Sequence, residues 1–269
     1  MPRRTPRTIN AVLNTTPVAI TLYLIVLAGL FWLAYSGAQA MGYNWQWYRM
    51  PVYFYTLTDD GFQWGEIMVG LVKTIQLSFT AFVSATLLGL ILALLRLSGL
   101  VIGSAVAVVM LEFVRNMPIL VLLYLFYYVL GPVFNLDRYT ASVMCLSVFH
   151  AALISEIIRA GIKSVAPGQW EGATSIGMTK LQAYRYIILP QSVKFMLPPM
   201  TGEMVHLIKS SAIVSVIAVV ELTTIGRNLI SDTYMSFEIW FTIAAVYLVL
   251  TLILSFGVSH IEKKYAVHT

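Results

Sequence analysis

A chain of 269 residues, 59% hydrophobic and only 11% charged, with net charge +5, is not an ordinary water-soluble domain, in which about 25% of residues are charged. At a mean hydropathy of +0.81 its few charges cannot cover the apolar surface in water, so lipid must solvate much of it. The basic excess does not indicate nucleic acid, because Lys and Arg sit mainly at the ends of apolar runs, where they orient membrane helices. Cys145 is the single cysteine, which excludes an intrachain disulfide.

From the N-terminus, Arg3, Arg4 and Arg7 precede a stretch, Thr8 to Tyr48, without Lys, Arg, Asp or Glu. Its apolar part, Val18–Tyr35, is long enough for a helix to cross a hydrocarbon layer of about 30 Å. It is also longer than the roughly 7–15-residue core of a signal peptide. The expectation is an uncleaved anchor helix, although the small residues from Ser36 to Ala40 resemble a cleavage site. The segment 36–70 is rich in Tyr and Trp, including Tyr43, Trp45, Trp47, Tyr48, Tyr53 and Tyr55, which favours the outer bilayer interface over a sugar- or nucleic-acid-binding platform. Apolar runs at Leu71–Leu95, Val101–Leu130, Tyr139–Ile162, Met204–Val220 and Ile239–Ser259 bring the expected spans to six. All are expected to be helices, since irregular backbone cannot face lipid unpaired. The fold class is therefore all-α, a polytopic membrane helical bundle.

Charge sets the orientation. Lys163, Lys180, Arg185 and Lys194 lie in the long connection 163–203, and Lys263 and Lys264 in the tail. Arg49, Arg138 and Arg227 fall on the other side. The connection and both termini are expected in the cytoplasm.

The connection reads as structured. Pro167 suits the first turn of a helix, and Glu171 lies towards its positive end. Gly177 reads as a stop, Thr179 with Gln182 as a capping box for a second short helix, and Pro190 as its end. The spacing Glu171-Gly172-Ala173, Gly177, Ile187-Ile188-Leu189-Pro190 resembles the "EAA" loop of ABC-importer permeases, with Gly172 in place of the usual Ala. Between about Gly70 and Tyr265 the chain also carries Glu156-Ile157-Ile158-Arg159-Ala160-Gly161-Ile162, Pro167-Gly168-Gln169-Trp170-Glu171 and Val219-Val220-Glu221-Leu222-Thr223. Together these resemble the polar amino-acid branch of that family.

The resemblance implies a five-helix importer permease core over 67–269, preceded at 1–66 by a tail, an additional transmembrane helix and an outer loop. It implies a coupling surface at Pro167, Gly168, Glu171, Gly172, Ala173, Gly177, Leu189 and Pro190 that docks on a separate ATP-binding-cassette ATPase, where small residues such as Gly172 and Ala173 permit close approach. A second permease subunit, the same or homologous, a substrate-binding protein and a polar amino acid are the other implied partners, with membrane lipid around them. The implied location is the bacterial cytoplasmic membrane. The chain has no G-x-x-x-x-G-K-[ST] phosphate loop and no H-E-x-x-H motif. No catalytic residue, metal or cofactor is expected here, and ATP and Mg are expected on the ATPase. The stretch Glu112, Arg115, Asn116, Pro118 resembles the family's E-x-x-R-G/N-x-P, in the form found in glutamate and aspartate permeases. Leu122 stands where the family often has Gln.

Ionisable residues at membrane depth are costly and usually face protein or a water-filled path. Glu112 with Arg115, and Glu156 with Arg159, are three apart and are expected to form structural ion pairs. Glu203, His206, Lys209 and Ser210 recur at helical spacing as one polar stripe. With His150, mid-span, they are the expected substrate path, in which Lys209 would serve the carboxylate of an amino acid and His150 would donate or accept. The plainer alternatives are a satisfied core histidine and a snorkelling helix end. Glu221 and Arg227 mark an outer end that a binding protein would touch. An ion-coupled secondary amino-acid transporter is the competing reading; it would need no ATPase and leaves the long connection unexplained.

Overall fold

The computed structural model describes residues 16–59 and 61–265, with side chains from 17 to 258. Arg3, Arg4 and Arg7 lie outside the described residues, as do the side chains of Lys263 and Lys264. Two compact units divide after Trp47. The first contains α1 (Thr16–Ala40), a 25-residue helix without a charged side chain and apolar on all faces. At 1.5 Å per residue it is long enough to span a bilayer.

The second unit opens with a 3-10 turn, Trp47–Tyr53, and an antiparallel hairpin of β1 (Tyr55–Thr58) and β2 (Gly61–Trp64). Tyr55 pairs with Trp64 and Leu57 with Phe62. Met50, Tyr53 and Phe54 pack with Ile67, Leu222, Met235 and Ile239. The aromatic segment from Tyr48 therefore belongs to this unit, and the division falls nearer the N-terminus than residue 66.

The helices α2 (Glu66–Leu97), α3 (Val101–Arg115), α4 (Ile119–Phe134), α5 (Arg138–Lys163), α6 (Pro167–Ser175), α7 (Lys180–Ile217), α8 (Leu222–Thr233) and α9 (Ser236–Tyr265) follow. Among the described residues, four helices are long and apolar enough to cross a membrane, or six if each bent pair is one span. The expected span Val101–Leu130 is such a pair, with α3 and α4 meeting at 107°. Pro118 supplies the break. It lacks an N–H, disfavours helix at Met117 and adopts an extended ψ of 133°. Asn135 closes α4 in the left-handed conformation at φ 52°. Asp137 then caps α5, accepting from the Tyr139 and Thr140 N–H groups at 3.0 and 3.4 Å. The Thr140 hydroxyl and these amides hold the Asp137 carboxyl below its ordinary range.

The long connection differs most from expectation. Pro190 does not end a short helix. A π turn at Tyr184–Ile188 precedes it, in which the Leu189 N–H reaches back to the Tyr184 carbonyl, and the helix continues through Pro198 and Pro199 to Ser211. Residues 189–203 are thus span helix rather than loop. Their Gln, Ser, Lys, Thr and Pro residues lower the hydropathy, but Ser192 and Met196 are buried against the rest of the protein.

The centre of the unit is the contact of α2 with α5. Ala81, Ala85, Gly89 and Ala93, four apart, are buried along one face of α2. A Cβ on Gly89 would lie 2.8 Å from Ile154 Cγ2 and 3.1 Å from the Ala151 carbonyl. Small residues bring membrane helices this close. The Ser147 hydroxyl crosses the seam to the Ala81 carbonyl at 3.3 Å.

Candidate functional site

The helix α7 packs on α5, and this contact joins residues distant in sequence. His150 of α5 is fully buried. Its Nδ1 lies 2.5 Å from Oε1 of Glu203 on α7. His206, one turn further along α7, places Nδ1 3.8 Å from the same oxygen. The two imidazoles meet edge to face with centroids 5.5 Å apart. Glu203 is 11% exposed and His206 55%, so the cluster is closed on the His150 side and open on the other. His150 Nε2 is buried without a hydrogen-bond partner.

The other two members of the expected stripe do not join this cluster. Lys209 lines a separate cavity of about 310 Å³ with Tyr247, Leu248 and Thr251. The Ser210 hydroxyl donates to the His206 carbonyl of its own helix at 3.0 Å. Six residues turn an α-helix by about 240°, which carries Lys209 away from the face that holds Glu203.

At the other end of α5, Glu156 pairs with Arg159 at 2.6 Å and also with Arg96 from the last turn of α2. Arg96 was not singled out from the sequence. Its signal is a lone cation ending an apolar run, which names no partner. Glu112 and Arg115 form no ion pair. Glu112 accepts instead from the Asn116 amide at 3.2 Å, because the helix ends at Arg115 and Asn116 folds back over its last turn. Glu221 is not an outward contact. It is fully buried and caps α8, accepting from the Thr223 and Thr224 N–H groups at 2.8 and 2.6 Å and from the Tyr247 hydroxyl at 3.0 Å. Arg227 donates to the Ser215 carbonyl at 3.1 Å.

The segment 164–188 projects as helix, turn and helix. Pro167 is at the start of α6. Gly177, at φ 76°, ends it in a Schellman motif. Its N–H bonds to the Thr174 carbonyl and the Met178 N–H to the Ala173 carbonyl, each at 3.0 Å, the 5→2 and 6→1 pattern of that motif. The capping box forms, with the Thr179 N–H donating to Gln182 Oε1 at 2.8 Å and the Gln182 N–H to the Thr179 hydroxyl at 3.4 Å. Trp170 meets Tyr184 edge to face at 5.0 Å, and Gln191 donates to Gln169 at 3.2 Å. These contacts brace the projection against α7.

Glu171 is exposed and makes no ion pair or side-chain hydrogen bond among the described residues, and Gly168 and Gly172 face open space. Glu171 lies a full turn into α6, beyond the first turn where the dipole acts most. Ala173 is 1% exposed, so it packs within this chain and cannot serve a partner's approach. Ile176, Leu181 and Tyr186 are strongly exposed apolar side chains on the same projection. Leu189 and Pro190 are exposed at its base.

Residues 85–267 match the family described as binding-protein-dependent transport system inner membrane component. A relative in Bacillus subtilis (strain 168), called a probable glutamine ABC transporter permease protein, is 36% identical over 73% of this chain and 92% of its own length. The glutamate/aspartate import permease protein of Escherichia coli (strain K12) is 29% identical over 84% of this chain and 96% of its own. A crystal structure of an amino acid ABC transporter with histidines contains a chain 40% identical, superposing with a TM-score of 0.69 over 74% of this chain and 93% of that one.

Proposed function

The chain belongs to the family of binding-protein-dependent transport system inner membrane components, and on that premise we propose that it carries a polar amino acid inward across the bacterial cytoplasmic membrane. It is a multi-pass permease subunit, and chemistry is left to another chain. A separate ATP-binding-cassette ATPase holds ATP and Mg, a second permease copy or homologue completes the membrane pair, and a substrate-binding protein delivers the substrate. Glutamine, glutamate and aspartate are the substrates to test first, given the names of the relatives.

The observation that carries this reading is the braced projection. A loop with no partner has no use for a helix stop, a capping box and an aromatic brace that together hold Ile176, Leu181 and Tyr186 in water. Exposed apolar clusters of this kind mark surfaces that another protein covers. Glu171 and Gly172 lie on the same projection, free of other partners within the chain. Rigidity lets it transmit the movement of an ATPase to α7, with which it is continuous.

The test is reconstitution of the permease with its co-expressed ATPase and binding protein in proteoliposomes. Uptake is expected to require ATP inside, and Glu171→Lys is expected to reduce substrate-stimulated ATP hydrolysis to background while the chain still inserts. Uptake that follows an ion gradient in the absence of the ATPase would establish the secondary-transporter reading instead.

A further inference from the structure

We propose that His150, Glu203 and His206 bind one divalent transition-metal ion of the zinc class, stapling α5 to α7 at membrane depth. The donor set is the first ground. Two imidazoles and one carboxylate form a recognised zinc set that leaves a coordination position open. Glu203 and His206 stand three apart as Glu-x-x-His, which places both on one face of a helix. Bundle proteins use this spacing to turn metal ligands inward, with further ligands from facing helices; His150 of α5 is the facing ligand here.

Geometry is the second ground. One ligand atom from each residue lies within 4.8 Å of the others. Around a tetrahedral ion with bonds of about 2.0–2.2 Å, ligand atoms stand roughly 3.4 Å apart. The observed separations from Glu203 Oε1, 2.5 Å to His150 and 3.8 Å to His206, lie on either side of that value. Small side-chain rotations bring both to it. The ion enters from the side of His206, which is more than half exposed.

Charge is the third. Glu203 is a nearly buried carboxylate whose ion-pairing neighbours are these two histidines alone. No Lys or Arg among the described residues pairs with it. A buried charge without a countercharge is strongly unfavourable, and a dication between neutral imidazoles and a carboxylate supplies one. His150 Nε2 has no partner behind it, whereas a ligating histidine is usually held from its second nitrogen. The site therefore exchanges its ion readily and does not lock it in.

The experiment reads binding, so its outcome is separate from that of the transport reading. Full-length protein in lipid nanodiscs is titrated with Zn2+ against a chromophoric chelator, and with Co2+ while its visible absorption is followed. The expected result is one equivalent per chain, with a Co2+ spectrum of low coordination number. His206→Ala, a change at an exposed side chain, and the near-isosteric Glu203→Gln are each expected to weaken binding by more than about tenfold, the least that loss of even an outer partner usually costs. A variant with His260→Ala and His268→Ala, which removes the only other histidines, is expected to bind as the wild type does. The proposal is overturned if the wild type takes up no stoichiometric metal at micromolar concentration. It is equally overturned if binding survives His206→Ala and Glu203→Gln, or disappears with the tail histidines.

Discussion

A carboxylate at membrane depth is costly unless something neutralises it, and Glu203 meets only His150 and His206 within ion-pairing distance. His150 and Glu203 therefore act as a unit, whereas Lys209 belongs to another cavity. The six residues from Glu203 to Lys209 correspond to about 9 Å of helix rise. Substitutions in contact couple by about 0.5–3 kcal/mol, and distant ones add within about 0.5 kcal/mol. Uptake by His150→Gln, Glu203→Gln and the double variant should accordingly fail to add on the free-energy scale. Lys209→Ala should add to either single change. Measured initial rates of amino-acid uptake decide this, and additivity of the His150 and Glu203 changes would show that their contact has no part in transport. The individual members of the polar stripe were legible in the sequence because helical spacing is local. Their division into two sites was not, because it depends on which side of α7 meets α5.

At the scale of elements, local chemistry settles the helix ends and small residues settle the helix contacts. Gly177, Thr179 with Gln182, and Pro167 all take the structural parts their residue types favour, since each needs only neighbours within a few positions. Pro190 and Pro118 have opposite outcomes. Pro118 breaks its helix, while Pro190 is absorbed by the π turn before it. A proline's consequence depends on whether the turn before it can reroute its hydrogen bonds, and composition does not reveal that. The α2–α5 seam provides a measurable case. Overpacking a tight core position costs typically 1–3 kcal/mol. Gly89→Ala puts a methyl group against Ile154 and the Ala151 carbonyl and should lower the thermal midpoint in scanning fluorimetry. Gly257→Ala, in open space on α9, should leave it unchanged or raise it slightly, as alanine favours helix over glycine. Equal midpoints for the two variants would mean that the seam is loose enough to accept a side chain.

For the whole molecule, the placement of Lys and Arg puts the projection on the cytoplasmic side and the hairpin outside. In a Cys145→Ala background, Leu57→Cys on β1 should react with a membrane-impermeant maleimide added to intact cells. Leu181→Cys on the projection should react only after the membrane is opened. Both side chains are more than three-quarters exposed, so reactivity reports sidedness and not burial. Labelling of Leu181→Cys from outside would invert the topology and remove the ATPase from its proposed place.

The sequence alone determined that lipid is the solvent, that the secondary structure is mainly helical, and that a shaped helix–turn–helix interrupts the apolar runs. Each of these follows from composition or from residues within a turn of one another. The tertiary structure alone decided that His150 meets Glu203, 53 positions away, that Arg96 meets Glu156, 60 positions away, and that Glu221 is buried as a cap rather than offered to a partner. Such contacts depend on which helix faces pack together. That choice is a sum over many small residues along α2, α5 and α7, and no single motif encodes it.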